Sequence, residues 1–255
     1  MFELFIPFFL LFLFILILAI IWRINARKYI SSGTVASAYD AWTQDKLLER
    51  LWGEHIHLGF YPSGNKKIDF RKAKVQFVHE LVKWSDLDKL PKGSRILDVG
   101  CGIGGSSRIL AKYYGFNVTG ITISPAQVKR ARELTPSGLN CNFQVMDALN
   151  LEFDDGVFDA VWSVEAGAHM NDKTRFADEM LRTLRPGGYL ALADWNSRDL
   201  KAYPPSFIER LVLKQLLEQW VHPNFISINE FGNILKTNKN SAGRVISENW
   251  NSYTN

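Results

Sequence analysis

The sequence predicts an α/β fold, a mainly parallel sheet with helices on both faces. Three observations predict it. Ile96–Ser107, ILDVGCGIGGSS, reads as an apolar strand running into a glycine turn and then a helix. From there to Asp194, strand-like and helix-like stretches alternate, which calls for right-handed crossovers between parallel neighbours. Pro91-Lys92-Gly93 marks where the alternation begins. In such a sheet, ligands bind beyond the carboxyl ends of the strands.

The chain of 255 residues can hold one substantial domain with additions at its ends. Leu4–Trp22 carries no charge and matches the ~30 Å of a bilayer core when helical. A signal peptide needs a basic region before its apolar run, yet only Glu3 is charged there; Arg23, Arg27 and Lys28 follow the run instead. The expectation is an uncleaved transmembrane anchor over 1–22. The positive-inside rule then puts the rest of the chain on the cytoplasmic side of a plasma or thylakoid membrane. Pro7 falls near the helix start, where its missing N–H costs little.

Residues 23–90 read as a helical cap and substrate-facing segment, with helices over Val35–Trp42, Asp45–Trp52 and Phe70–Trp84. Val75, Val78, Leu81 and Val82 give the last of these a packed face. Residues 91–196 read as the cofactor-binding core. Its strands are expected at Arg95–Val99, Asn117–Ile123, Asn142–Met146, Phe158–Val164 and Tyr189–Asp194, and its helices at Ser106–Tyr114, Pro125–Leu134 and Asp172–Leu184. Residues 197–255 read as lid helices and the end of the core. Pro205–Trp220 is amphipathic, with Phe207, Leu211, Leu216 and Trp220 among its apolar positions, and Arg244–Glu248 is expected as a strand.

The net charge is +4 with the bases spread along the chain, so no nucleic acid partner is expected. Part of the excess follows the apolar run, where it can meet anionic headgroups. Cys101 and Cys141 fit a reducing compartment and offer neither a disulfide framework nor a thiolate cluster. Glu54, His55 and His57 lack a further spaced ligand, so no metal is expected.

Gly100, Gly102 and Gly105 give GxGxxG spacing, by itself a weak signal. A dinucleotide site would place an acid about twenty residues on. Gly120-Ile121-Thr122-Ile123-Ser124 has none, which opposes a nicotinamide dehydrogenase. Asp98 lies instead inside the strand, where a carboxylate orients the turn or an amino-bearing ligand and repels a pyrophosphate. A nucleoside cofactor with an amino acid tail, S-adenosylmethionine, fits. A tight turn without ligand, with Asp98 as a brace, is the alternative. Cys101 reads as small-residue packing within the loop. Thr122, Ser124 and Gln127 can hold ribose hydroxyls, unless Ser124 only caps the helix that Pro125 begins. Asp147-Ala148 ends the third strand, where the carboxylate accepts from an adenine amino group or closes a turn.

Trp162–Met170 leaves the fourth strand at the carboxyl edge. Glu165 and His169, four apart, can share a helical face and take a proton from a bound hydroxyl, or else orient each other. A second polar set, Glu54, His55, His57 and Tyr61, lies in WGEHIHLGFY outside the sheet. His79 reads as a partly buried helix residue and His222 as a surface or lid residue.

DVGCGIGGSSR (Asp98–Arg108), GITISPAQ (Gly120–Gln127), FQVMDAL (Phe143–Leu149), VWSVEAGAHM (Val161–Met170) and LRPGG (Leu184–Gly188) together resemble the class I S-adenosylmethionine-dependent methyltransferases. With Val35–Asp45 and Leu51–Gly59, the resemblance narrows to the tocopherol and sterol C-methyltransferase group and reaches to about Glu248. It implies the Rossmann-like sheet of that class. It also implies a cofactor site of Asp98, Gly100, Cys101, Gly102, Gly104, Thr122, Ile123, Gln127, Asp147, Ala148 and Ser163. The wall over the methyl group would be Glu165, His169, His55, His57 and Tyr39. The implied reaction is methylation of an aromatic ring carbon of a prenylated hydroquinone with a phytyl or solanyl tail, as in tocopherol and plastoquinone biosynthesis. A tocopherol, another quinol or a sterol is the runner-up substrate. Members of the group continue past the position of Asn255 and supply a further strand, so the last strand of the sheet is expected to be missing. A membrane-held cofactor-binding protein without turnover is the alternative from another class.

Overall fold

The apolar runs that read as strands pair into one sheet. The computed structural model describes residues 2–25, 28–62, 68–241 and 243–254. In it β1 (Arg95–Val99), β2 (Asn117–Thr122), β3 (Cys141–Val145), β4 (Phe158–Val164) and β5 (Leu184–Ala193) lie in the order β3-β2-β1-β4-β5. All four pairings are parallel. Crossing from β3 to β4 passes the chain over the first two strands, which opens the crevice at the carboxyl end of β1.

Alternation along β1 divides the core. Ile96 points to one face, where it meets Phe77, Val78 and Leu81 of α4 (Phe70–Trp84), Leu110 of α5 (Gly105–Tyr114), and Trp162. Leu97 and Val99 point to the other, against Phe176 and Met180 of α7 (Lys173–Thr183). Burial on both faces explains why β1 carries apolar residues nearly without interruption. Each fully buried Leu, Ile or Phe contributes about 1.5–3 kcal/mol, so the two-sided core outweighs the few tenths offered by helix propensity. α6 (Pro125–Leu134) closes the edge over β2 and β3.

Local chemistry moves several boundaries. α2 (Ser32–Gln44) is longer than Val35–Trp42 because Ser31 and Thr34 form a capping box at its start. Lys46 takes a left-handed conformation, so α3 (Leu47–Trp52) starts after it and not at Asp45. Asp172 caps α7 instead of joining it, and β5 starts at Leu184, with a register shift opposite Phe158 and Ala160. α8 (Phe207–Trp220) begins after Ser206, whose hydroxyl and Glu209 form a second capping box. α9 (Ile228–Thr237), capped by Ser227, was not expected.

The strand expected at Arg244–Glu248 does not form. That segment crosses α4 instead. Trp84 Nε1–H donates to Glu248 at 2.5 Å, and Trp250 packs edge-on to Phe60, Phe77 and Trp84. α10 (Asn251–Thr254) follows, and the carbonyl of Tyr253 accepts from the Tyr61 N–H. The packing energy of one large indole decides the path over a short alternating pattern. His79 is a partly buried helix residue bonded to the Tyr114 hydroxyl at 2.8 Å.

α1 (Phe2–Asn25) is the helix that opens the chain, with the side chains of 7–20 exposed. Among the described residues no helix is long and apolar enough to cross a membrane, so a span over 1–22 is not shown there. Arg27 lies outside the described residues. Arg23 pairs with Glu218 of α8, which ties the end of α1 to the lid.

Candidate active site

The site grows from the end of β1. The N–H groups of Gly100 and Cys101 both donate to the carbonyl of Ile121 at 2.9 Å, turning the chain sharply out of the strand. Gly100 has φ +77°, and a Cβ there would lie 2.2 Å from the Cβ of Ala166. That contact brings the loop after β4 onto the glycine turn. At Gly102, φ +55°, a Cβ would meet nothing nearer than Gln127 Nε2 at 4.0 Å. Open space therefore lies over the backbone where α5 presents its N-terminus, as a ligand needs. Gly104 caps α5 in the left-handed region.

Asp98 is 2 % exposed and accepts from the Ser107 hydroxyl at 2.5 Å. Burial pushes its carboxyl up to about 7. An ammonium placed beside it would restore the charge, so this carboxyl fits the amino end of an amino acid tail. Burial also raises the Cys101 thiol well above its usual range, which removes it as a nucleophile and fits the packing role.

Beyond β2, the Thr122 hydroxyl donates to Gln127 Oε1 at 2.6 Å and accepts from the Ser124 N–H at 3.3 Å. Ser124 caps α6 through the Gln127 N–H, and its own hydroxyl donates to Asp40 at 2.5 Å. Asp40 also takes the Ala126 N–H, so α2 docks its carboxylate on the positive end of α6. Ser124 thus has the capping role, while Thr122, half-buried Ile123 and Gln127 share the strand end. After β3, Asp147 closes a turn by accepting from the Leu149 N–H at 2.9 Å, and Ala148 is buried. The Tyr29 phenol is raised by burial and then by Asp147, which places the segment before α2 near this turn. Ser163 donates to the Val99 carbonyl at 2.9 Å, tying β4 to β1 beneath the glycine loop.

The loop after β4 corrects one expectation. Glu165 has φ +51°, and the only helical turn that follows is the short 3-10 segment Gly167–His169. Glu165 and His169 therefore share no α-helical face, and each has partners from the cap. Glu165 Oε1 accepts from the Leu58 N–H at 2.9 Å. Burial raises its carboxyl, opposed by Leu58, Trp195 and Lys74. The Tyr39 hydroxyl lies 2.9 Å from His169 Nε2, and Nδ1 lies 3.4 Å from the Val221 carbonyl. A carbonyl only accepts, so Nδ1 carries the hydrogen and Nε2 accepts from Tyr39. Burial lowers His169 to about 4 and raises the Tyr39 phenol above its usual value.

His55 and His57 form a second pair, Nδ1 to Nε2, at 3.0 Å. His57 Nδ1–H donates to the Leu58 carbonyl at 2.7 Å, so His55 Nδ1–H donates to His57. Burial lowers them to about 4 and 3. They sit against the start of α5: a Cβ on Gly105 would lie 2.6 Å from the Glu54 carbonyl and 2.8 Å from His55 Cε1. Glu54 pairs with Arg108 at 2.6 Å, and Lys74, lowered by burial to about 8, donates to the His55 carbonyl at 2.7 Å. The cap thus closes directly on the glycine loop.

Two residues escaped the sequence reading. His222, expected as a surface or lid residue, follows the lid helix α8 and is half-buried there, stacked on His169 with ring centroids 4.2 Å apart. Its Nδ1 is buried with no hydrogen-bond partner among the described residues. Asp194, at the end of β5, accepts from the Trp195 N–H at 2.8 Å and is pushed by burial to about 7. A Cβ on Gly167 would lie 2.2 Å from Asp194 Oδ2, so the carboxyl braces the loop from below. Its signal was available, an acid at the carboxyl edge like Asp98 and Asp147. Among the described residues no group of three or more His, Cys, Asp or Glu could hold a metal. A cavity of about 440 Å³, lined by Arg95, Asn117, Leu139 and Phe153, opens at the other end of the strands and takes no part in this site.

Residues 97–192 match the family model described as a methyltransferase domain. The chain is 55% identical over 230 residues to the 2-methyl-6-phytyl-1,4-hydroquinone methyltransferase of Synechocystis sp., covering 90% of this chain and 72% of that protein. Over 203 residues it is 36% identical to the chloroplastic tocopherol O-methyltransferase of Arabidopsis thaliana, covering 75% of this chain and 58% of that one. The crystal structure of the cyclase SpnF matches with a TM-score of 0.67 at 25% identity, covering 83% of this chain and 74% of that one. Sheet order, glycine loop and these relatives together identify the chain as a member of the class I S-adenosylmethionine-dependent methyltransferases, in the group that holds the hydroquinone and tocopherol methyltransferases.

Proposed function

We propose that this protein methylates an aromatic ring carbon of a prenylated hydroquinone, 2-methyl-6-phytyl-1,4-hydroquinone or its solanyl counterpart. The observation that carries the reading is the 55% identity, over 90% of the chain, to a hydroquinone methyltransferase. S-adenosylmethionine, when bound, supplies an electrophilic methyl on a sulfonium. Asp98 would hold its amino group, and the backbone of Gly100, Cys101, Gly102 and Gly104 would line its tail. Thr122, Ile123 and Gln127 would meet the ribose, and Asp147 with Ala148 the adenine, while Ser163 keeps the loop seated on β4.

An aromatic carbon attacks faster as its neighbouring hydroxyl loses a proton, so a base beside that hydroxyl raises the rate. Glu165, the Tyr39–His169 pair and the His55–His57 pair would form the wall over the methyl group; burial holds the histidines neutral but lowers their basicity, while it raises that of Glu165. Aligning ring carbon, methyl and sulfur supplies much of the remaining acceleration. Closure by the cap and α8 would exclude water.

The reading includes α1 as a single-pass membrane anchor with the catalytic core on the cytoplasmic side of a plasma or thylakoid membrane. Its support is the uncharged run Leu4–Trp22, the exposure of Phe8, Phe12 and Leu16, and the bases that follow. A long prenyl tail partitions into lipid through its apolar area, so a tethered enzyme meets a substrate that is scarce in water.

A second reading, transfer to a phenolic oxygen, has support in the printed name of the Arabidopsis relative. Methyl transfer from labelled cofactor decides, using detergent-solubilised protein with 2-methyl-6-phytylhydroquinone, its solanyl counterpart, γ-tocopherol and a sterol. Ring-methylated open hydroquinone is the expected product. An ether product, or product from the closed chromanol or sterol alone, overturns the substrate assignment. Cofactor binding with no product on any of them overturns turnover itself.

A further inference from the structure

A helix at the surface of a globular protein turns polar side chains outward. The first two turns of α8 do not. Phe207, Ile208, Leu211 and Val212, at 67, 71, 50 and 63 % exposure, form one outward stripe at i, i+1, i+4 and i+5. Contiguous large apolar side chains of this kind mark an interaction surface. Leu213, Leu216, Leu217 and Trp220 occupy the opposite side of the helix and are half-buried. That inner side reaches the wall of the site. Trp220 meets Trp42 edge-on with ring centroids 5.8 Å apart, Trp42 meets Tyr39 at 5.1 Å, and Tyr39 bonds His169. α8 is thus apolar on both sides, one toward the site and one toward its surroundings.

What shares the stripe indicates what covers it. Glu218 lies seven residues beyond Leu211 and eleven beyond Phe207, about two and about three turns along one line of the helix. Its carboxylate pairs with Arg23 at the end of α1. The apolar helix α1 therefore leaves the molecule from the face that the stripe presents. Arg210 and Lys214, both exposed, flank the stripe. Long basic side chains so placed reach headgroup phosphates while their stems stay on apolar surface. Tyr203, 68 % exposed in the bend before α8, is the kind of aromatic that settles at headgroup level. A second copy of the chain fits less well. A stable protein interface takes roughly 20–30 residues a side, and the stripe supplies four large apolar ones.

We propose that the outward stripe of α8 lies in the surface layer of a lipid bilayer beside α1, so that a single helix separates lipid from the site. The proposal rests on the anchored methyltransferase reading above and adds a second contact to it. α1 would hold the protein at the membrane, and α8 would fix its orientation there. A prenyl tail then passes from lipid along α8 toward Trp42 and Tyr39 without crossing water, which its apolar area disfavours.

The test uses the full chain in vesicles of phosphatidylcholine and phosphatidylglycerol. Val212→Cys with an environment-sensitive fluorophore reports on the stripe, and Phe12→Cys with the same label reports on α1. Signal from Cys101 and Cys141, measured on the unsubstituted chain, is subtracted. Lipid spin-labelled near the headgroup should quench the Val212 label, and lipid labelled deep in the acyl chain should quench the Phe12 label. Quenching at Phe12 alone overturns the proposal and leaves the anchor standing. Quenching at Val212 alone leaves the surface contact standing and overturns the span. A Val212 label shielded from iodide yet untouched by lipid assigns the stripe to a second copy or another protein segment, which overturns the proposal. The route of the tail is tested with Ile208→Gln and Val212→Gln together, changes that keep good helix formers. For 2-methyl-6-phytylhydroquinone in these vesicles, KM should rise about 10-fold with kcat unchanged, the scale of taking two apolar side chains out of lipid. Trimethylhydroquinone, which has no tail, should show no change. An unchanged KM for the phytyl quinol, or a rise shared by both substrates, overturns the route. A wild type inactive on both overturns the function, and the fluorescence still decides the contact.

Discussion

Lowering the pH from 7 to 5 sets two kinds of buried group in the site against each other. His55, His57, His169 and His222 are held neutral, with values of about 4, 3, 4 and 3. An unfolded histidine titrates near 6.5, so across this window the unfolded chain binds more protons and stability falls with the pH. The contribution is complete above about pH 6.5 and is lost toward pH 4. At about 1.4 kcal/mol per unit, each histidine has given up roughly 2 kcal/mol by pH 5. Asp98 and Asp194 run the other way, since burial raises both to about 7. A carboxyl raised in the folded state binds more protons there, so it gains stability as the pH drops below its folded value. Each returns about 2 kcal/mol between pH 7 and 5. Four groups against two leave a net loss of about 4 kcal/mol for the cofactor-free protein. Urea denaturation followed by tryptophan fluorescence at the two pH values measures it. His222→Phe, which keeps an aromatic ring in the stack, should recover about 2 kcal/mol of the loss. Equal or greater stability at pH 5 refutes the claim that the four histidines are buried and neutral.

The other predictions concern the loops. Asp98→Asn removes the charge that would face the cofactor's amino group, so calorimetry should show affinity weakened about 10–100-fold, the scale of a charge-assisted hydrogen bond; unchanged affinity removes Asp98 from the site. Gly100→Ala puts a Cβ 2.2 Å from that of Ala166 at φ +77°, and thermal melts should show a loss of about 2 kcal/mol or more, because backbone strain adds to the clash. Glu165→Gln keeps an acceptor for the Leu58 N–H while removing the charge. Methyl transfer should slow more than cofactor binding weakens, and equal losses in the two assays count against a role beside the reacting atoms.

What could be read without coordinates was whatever short-range chemistry determines. Ile96, Leu97 and Val99 announce a strand buried on both faces, and Asp98 with the glycines announces the turn and its ligand. Ser124-Pro125 announces the start of α6. Ser227 followed by Glu230 gave the same kind of signal for α9, and it could have been used. The misreadings came where spacing was taken as conformation. Glu165 and His169 are four apart, but that places them on one face only inside a helix, and a left-handed Glu165 prevents one. Arg244–Glu248 alternates like a strand, yet Trp250 carries it across α4. No local pattern places His222 on His169, since that contact depends on the path by which α8 returns over the sheet.

Among the described non-glycine residues with positive φ, Lys46 and Asp86 lie in exposed turns, where strain has little consequence. Glu165 and Val221 are different. One starts the loop that carries His169, and the other accepts from His169 with its own carbonyl. Left-handed backbone costs an ordinary residue roughly 1–2 kcal/mol, and a buried valine gains nothing locally that offsets it. The compensation must come from tertiary contacts: Val221 packs with Val35 and Ala38 of α2, while Glu165 takes the Leu58 N–H from the cap. Both strained residues are therefore held in place by the segment that would close over the substrate. Displacing that segment would remove the contacts that hold them and let both relax. Position and strain at the His169–His222 stack are thus coupled to whether the cap is seated.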